Sequence, residues 1–161
     1  MLGEELRRNL QWNQVLLSQM YNAPKGAPRE FAVLRALKKD HPGHMLVFTD
    51  VGLHDNLKTK TILMYMKKLL EETKTLGDTD ILFMTPYIPG LQKSPSFTGQ
   101  TEKRTIEFAN FFRRFSKNMN ISFLDPTELV RPLVSVDGTH YTNGLNEAIV
   151  DIISNYILKA S

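Results

Sequence analysis

The sequence predicts an α/β fold built around a parallel sheet, because short apolar runs alternate with longer helical patterns. Each run is nearly continuous, which suits a strand that is buried on both faces of a sheet. The runs are Met45–Thr49, Ile81–Thr85 and Ile121–Leu124. In such sheets, functional residues gather beyond the carboxyl ends of the strands.

Two helices are predicted before the first strand. Residues 4–21 carry an apolar stripe at helical spacing. The stretch 22–28 contains two prolines and a glycine, and it predicts a break. Pro28 is suited to open the second helix. The apolar positions are Leu6, Leu10, Leu17 and Met20 in the first helix, and Phe31, Leu34 and Leu37 in the second.

Three further helices are predicted over residues 58–75, 101–117 and 143–158, each with an apolar face. The middle one has four phenylalanines at helical spacing, which indicates core packing more than a cofactor site. They are Phe108, Phe111, Phe112 and Phe115. Residues 86–99 are rich in proline and glycine and are predicted to form a long loop after the second strand.

Length and composition indicate one globular domain, placed at residues 1–161, with 42% hydrophobic and 23% charged residues. No apolar run approaches the roughly 18 residues that a membrane span needs, and no signal-peptide pattern opens the chain. The sequence contains no cysteine, which excludes disulfides, thiolate catalysis and zinc–cysteine sites. This composition slightly favours a reducing, cytoplasmic compartment.

The charge pattern does not predict a nucleic-acid partner. The formal net charge is +3, and the basic residues are scattered in pairs on or beside predicted helices. A basic stripe with interleaved aromatic residues, which nucleic-acid binding favours, does not occur in the sequence.

The most informative stretch reads Asp-Gly-Thr-His-Tyr-Thr, over residues 137–142, directly before the last predicted helix. A carboxylate such as that of Asp137 can orient an imidazole and stabilise its cation, so that His140 would act as a general base. The same residues also fit a plain Asp-Gly turn followed by a helix cap.

A second polar cluster follows the first predicted strand and comprises Asp50, Gly52, His54, Asp55 and Asn56. Gly52 permits a close backbone approach or an unusual dihedral angle. His54 can donate a hydrogen bond to a developing oxyanion. The alternative interpretation is a polar loop in which Asp55 or Asn56 caps the next helix.

These two clusters together resemble the SGNH (GDSL-type) hydrolase family. Gly52-Leu53-His54-Asp55 resembles the family block Gly-x-Asn-Asp, with histidine in place of asparagine. Asp137-Gly138-Thr139-His140 resembles the last family block, Asp-x-x-His, and the helix expected after it is also predicted here. The Gly-Leu-His-Asp form is similar to the PC-esterase branch, which acts on acylated glycans. The resemblance covers roughly residues 44–159.

The resemblance implies a three-layer α/β/α sandwich around a short parallel sheet, with flavodoxin-like layers. It implies that His140 is the base, that Asp137 orients it, and that Gly52 and His54 stabilise the oxyanion, with Asp55 in the same block. The implied substrate is a small-molecule or glycan acyl ester, on an O-acylated carbohydrate or lipid. The implied reaction is hydrolysis or acyl transfer without a cofactor. Family order also places His140 at the same edge of the sheet as His54.

The Gly-Asp-Ser block, which carries the family's nucleophile after the first strand, is missing from the sequence. Ser18 is the one serine before the first predicted strand, and it lacks the flanking Gly-Asp. The family's second block, a glycine on a loop, has a weak counterpart in Gly26. We therefore expect weak or absent ester turnover from this chain.

Three explanations of the missing block stay open. The chain can be a segment of a larger protein, a catalytically dead binding domain, or a hydrolase whose chemistry needs no serine. The last case would be a metal site, for which Asp50, His54, Asp55, Asp137 and His140 are suitable residue types. Because these residues lack a compact ligand spacing such as His-x-x-x-His, we expect no tightly bound metal ion.

Overall fold

The structure is a computed structural model that describes residues 23–89, 98–130, 135, 138–141 and 143–160. The predicted strands are all present, and the three helices predicted after residue 57 are present with ends within two residues of the prediction. The helix predicted over residues 4–21 lies outside the described residues. The elements are α1 (Ala23–Asp40), β1 (Met45–Asp50), α2 (Thr59–Leu76), β2 (Thr79–Met84), α3 (Glu102–Met119), β3 (Ser122–Leu124), α4 (Thr127–Val130) and α5 (Asn143–Ala160).

Among the described residues, the sheet consists of β1, β2 and β3 in that spatial order, and all its strands are parallel. Asp50 of β1 pairs with Met84 of β2, and Met84 pairs with Leu124 of β3. The strands therefore end in line with one another. The segments that follow them emerge at the same edge of the sheet, which we call the carboxyl edge.

Helices α1, α2 and α3 cover one face of the sheet. Side chains alternate between the faces of a strand, and Ile81 and Phe83 of β2 belong to a core cluster with residues from these three helices. The ring of Phe83 lies 5.1 Å from that of Phe112 in α3. Apolar burial on this face supplies the driving force for docking the helices on the sheet.

Helix α5 covers the opposite face. Met84 of β2 lies in a second core cluster with Leu145 and Ile149 of α5. The hydroxyl groups of Ser122 in β3 and Tyr156 in α5 are also hydrogen-bonded. Helices on both faces of a parallel sheet form a three-layer α/β/α sandwich, which confirms the predicted fold class.

The interruption of helical structure predicted over residues 22–28 is wrong, because α1 begins at Ala23 and contains Pro28. Proline has no N–H to donate to the carbonyl four residues earlier, and inside a helix this costs about 3 kcal/mol. Ala27 and Phe31 are buried in the core cluster, and the Phe31 ring stacks on Tyr65 of α2. Burial of these side chains offsets much of the cost, so tertiary packing overrides the local signal.

The aromatic stripe of α3 is part of the core, as its spacing predicts. Phe108 and Phe112 are almost completely buried, and their ring centroids lie 4.6 Å apart. Thr101 caps the start of α3 by accepting a hydrogen bond from the Arg104 N–H, and Asn120 ends it in the left-handed conformation. Among the described residues, none of the helices combines the length and the apolar composition of a membrane span.

Replacing Phe112 by alanine is expected to lower the free energy of unfolding by about 3–5 kcal/mol, since it leaves a cavity against Phe83. Urea denaturation followed by circular dichroism measures this loss. Met119→Ala, at a position that is 42% exposed, is the control and should change stability by less than about 0.5 kcal/mol. Similar losses in the two variants would contradict a core role for the α3 stripe.

Candidate functional site

The turn between β1 and α2, residues 51–58, requires glycine at position 52. Gly52 has φ +130°, and an added Cβ would lie 2.7 Å from Cζ of Phe108. The Leu57 N–H donates to the Gly52 carbonyl at 2.8 Å, which closes the turn. Within it, His54 is exposed and Asp55 is buried. Both features that the sequence offered as alternatives for Gly52, a close approach and an unusual dihedral angle, are present.

Two contacts hold this turn against the start of α3. The Arg104 guanidinium donates to the Asn56 carbonyl at 2.7 Å. On the other side, a Cβ at Gly99 would lie 1.7 Å from Oδ1 of Asn56, so a larger residue there would displace the Asn56 side chain. The end of the 86–99 loop is thus pressed against the β1–α2 turn.

The segment from Gly138 to Tyr141 carries His140 and is fixed to the residues that directly follow β2. Gln100 is almost fully buried; its amide donates to the Tyr87 carbonyl at 2.9 Å and accepts from the Thr139 hydroxyl at 3.1 Å. The Tyr141 hydroxyl donates to the Ile88 carbonyl at 2.9 Å. These bonds place the segment at the carboxyl edge.

The two motif segments therefore lie at the same edge of the sheet, as family order predicts. The β1–α2 turn contacts Gly99, and the neighbouring Gln100 holds Thr139. His140 is exposed at the end of this chain of contacts. Asp137 and Ser18 lie outside the described residues, and the catalytic roles of Asp137, His140, Gly52, His54 and Asp55 stay predictions.

A carboxyl group with a raised pKa lies at the same edge. Asp50 ends β1 and still has surface open to solvent, yet the protein around it desolvates the carboxyl and raises its pKa from 3.8 to about 6. Burial, and secondarily the Asp50 charge, raises the pKa of Tyr87 to about 12. The Tyr87 ring packs edge-on against Tyr141 at 5.9 Å. Asp50 and Tyr87 therefore belong to the surroundings of the His140 segment.

One of the sequence assignments is wrong on this evidence. Gly26 lies inside α1, so it is not the loop glycine of the second family block. No group of three or more histidine and acidic side chains is placed to hold a metal ion within residues 23–89, 98–130, 135, 138–141 and 143–160. In the described part of the chain, Asp50, His54, Asp55 and His140 therefore do not come together as a metal site. Asp137 is not among the described residues.

Sequence reasoning did not find Gln100, Tyr87 or Tyr141. Gln100 follows a loop with no distinctive spacing, and a glutamine in such a place usually faces solvent. Tyr141 adjoins His140, and its role in anchoring that histidine could have been proposed from this adjacency. The partner of Tyr141, the Ile88 carbonyl, depends on tertiary structure.

Solved esterase structures share this fold. The native aryl esterase of M. smegmatis matches with a TM-score of 0.61 and 20% identity, over 80% of this chain and 67% of that one. Est24, a carbohydrate acetylesterase from Sinorhizobium meliloti, matches with a TM-score of 0.62 and 17% identity, over 81% and 68%. A putative arylesterase from Agrobacterium tumefaciens str. C58 gives 0.58 and 16%, over 78% and 67%.

No protein-family model matches the sequence, and a search of curated proteins found no match. The structural neighbours belong to the SGNH hydrolase fold. The chain therefore has that fold, as the motif resemblance predicts, and it spans about two thirds of each neighbour.

Asp50→Asn is expected to stabilise the protein at about pH 8 and to have little effect near pH 4. The folded-state pKa, about 6, lies above the ordinary value of 3.8. The protonated carboxyl of Asp50 therefore makes its full favourable contribution to the free energy of unfolding below the ordinary pKa of 3.8. This contribution is lost as the pH rises through 6. Melting temperatures at both pH values measure this, with Asp151→Asn, on an exposed position of α5, as the control. Equal melting temperatures of wild type and Asp50→Asn at the higher pH would contradict the shielding of Asp50.

Gln100→Leu keeps the side-chain volume but leaves the Tyr87 carbonyl and the Thr139 hydroxyl without their bonds to Gln100. We expect a loss of about 1–3 kcal/mol in unfolding free energy, because both hydrogen bonds of the Gln100 side chain are removed. A double-mutant cycle with Thr139→Val measures the coupling between the two side chains. Strictly additive effects would show that the Gln100–Thr139 bond does not hold the His140 segment.

Proposed function

We propose that this chain binds an acyl ester at the carboxyl edge and hydrolyses it slowly, with His140 as the general base. One observation supports the proposal: Gln100 holds Thr139 of the His140 segment, and its neighbour Gly99 contacts Asn56 in the turn that carries Gly52 and His54. A general base near candidate oxyanion donors is an arrangement that suits acyl transfer.

The chemistry follows from these roles. His140 removes a proton from a water molecule as the water oxygen attacks the acyl carbon. The negative charge that develops on the carbonyl oxygen is stabilised by the Gly52 N–H and by the ring N–H of His54. The imidazolium of His140 then returns the proton to the departing alcohol oxygen. In this proposal, Asp137 orients the imidazole and stabilises its charge.

Turnover is expected to be slow, since the sequence has no Gly-Asp-Ser block to supply an attacking hydroxyl. A positioned base contributes about 10²–10⁴-fold to the rate. It does not replace the covalent intermediate that a nucleophile provides, and the loss of one oxyanion donor costs about 10²–10³-fold.

The carboxyl edge favours an O-acylated carbohydrate over an O-acylated lipid as substrate. It presents polar groups suited to hydroxyl-rich ligands, including the Asp50 carboxyl and His54. Tyr87 and Tyr141 add aromatic surface beside them. The fold is shared with Est24, named as a carbohydrate acetylesterase, and this supports the same substrate class.

A second candidate function is ester binding without turnover, which the absence of the Gly-Asp-Ser block supports. Such a domain would keep the anchored His140 segment and the Gly52 turn but would release the ester unchanged. Binding and hydrolysis of an acetylated sugar, measured on the same preparation, separate these two functions.

Hydrolysis of an aryl acetate is expected to be weak, because the sequence has no Gly-Asp-Ser block to supply an attacking hydroxyl. His140→Ala should abolish it, because no other group is proposed to take the proton. His44→Ala is the matched control, since His44 lies directly before β1, at the amino edge of the sheet. Hydrolysis that survives in His140→Ala would refute the proposed base.

Two treatments of the wild-type protein test whether hydrolysis depends on a serine nucleophile or on a metal ion. A fluorophosphonate probe should not label the chain; labelling that Ser18→Ala removes would identify Ser18 as a nucleophile. A chelator should leave hydrolysis unchanged, and its loss on chelation with recovery on added metal would establish a metal-dependent hydrolase.

A further inference from the structure

A groove of about 410 Å³ lies between the β1–α2 turn and α3. Its floor includes the apolar side chains of Leu57, Phe108 and Phe111, and the lining as a whole is more polar than apolar. Phe108 also packs on Gly52, so the groove lies behind the turn that carries His54. It is lined by none of the residues to which a catalytic role is assigned above.

The groove has a net positive lining, since Arg104 and Arg114 line it together with Glu107. Arg104 and Arg114 both line it, and neither forms an ion pair with any residue in the described part of the chain. In contrast, Arg35 pairs with Glu72, and Arg113 pairs with Asp125. Guanidinium groups present several fixed N–H donors and match the oxygens of phosphate and carboxylate groups.

The remaining lining residues indicate which chemical groups a ligand of this groove carries. Asn110 and Thr59 add side chains able to bond to anionic oxygens, and the exposed edge of the floor is provided by the half-buried Phe111. Glu107 also lines the groove and opposes an anion, so two arginines and one glutamate leave a net positive lining. The occupant therefore needs an anionic group and a compact apolar part.

We propose that this groove binds a small molecule that carries a phosphate or carboxylate group on an apolar ring. The anion lies against Arg114, and the ring lies over Phe111. Arg104 holds the Asn56 carbonyl at the end of the groove nearer the β1–α2 turn, so its positive charge attracts the anion from a distance. This site does not depend on the proposed ester hydrolysis.

Titration of the ¹⁵N-labelled protein with phenyl phosphate tests the proposal by nuclear magnetic resonance. We expect the amide signals of Leu57, Thr59 and Phe111 to shift in a saturable way. Arg114→Gln should weaken binding about three- to tenfold. Glu107→Gln should strengthen it about two- to fivefold, because it removes a repulsive charge. Arg29→Gln, on the exposed surface of α1, is the control and should leave the dissociation constant unchanged.

Arg114→Gln is the decisive variant, since Arg104→Gln also frees the Asn56 carbonyl and can disturb the turn. Phenol should bind more weakly than phenyl phosphate, because it lacks the anionic group. Inorganic phosphate should also bind more weakly than phenyl phosphate, because it lacks the ring. Tighter binding of benzoate than of phenyl phosphate would assign the groove to carboxylates, and the reverse order would assign it to phosphates. Equal affinities for phenol and phenyl phosphate, or an affinity unchanged in both Arg114→Gln and Glu107→Gln, would overturn the proposal.

Discussion

The fold and the candidate site both depend on the burial of β2 on its two faces. Phe83 packs against Phe112 on one face, and Met84 packs against α5 residues on the other. Parallel pairing on either side of β2 brings the ends of β1 and β3 into line with its own end. Burial of the central strand therefore determines where the turn after β1 and the segment after β2 meet.

The elements were predictable where hydrophobic burial decides the local structure. Runs such as Ile81–Met84 are apolar at every position because both faces are covered, and this pattern is visible in the sequence. Pro28 shows the opposite case: its local preference predicts a break, and the packing of Phe31 on Tyr65 keeps it inside a helix. Long-range contacts of that kind leave no periodic signal.

The candidate site was predictable where a backbone requirement selects the residue. Gly52 lies against Phe108 with no room for a side chain, and the Gly-x-x-Asp spacing around it is recognisable. Gln100 could not be predicted, because its partners Tyr87 and Thr139 are 13 and 39 residues away and any polar residue could occupy its position in a loop. The shielding of Asp50 likewise depends on the atoms around it rather than on its neighbours in sequence.

The contact between Gly99 and Asn56 couples the local unfolding of the two segments that form the candidate site. Residues 99 and 100 press on the β1–α2 turn and also hold the His140 segment, so a local opening of this short stretch releases both at once. The core around Phe83 and Phe112 does not take part in that opening. We therefore expect these two segments to open as a separate cooperative unit, at a lower free energy than the sheet beneath them.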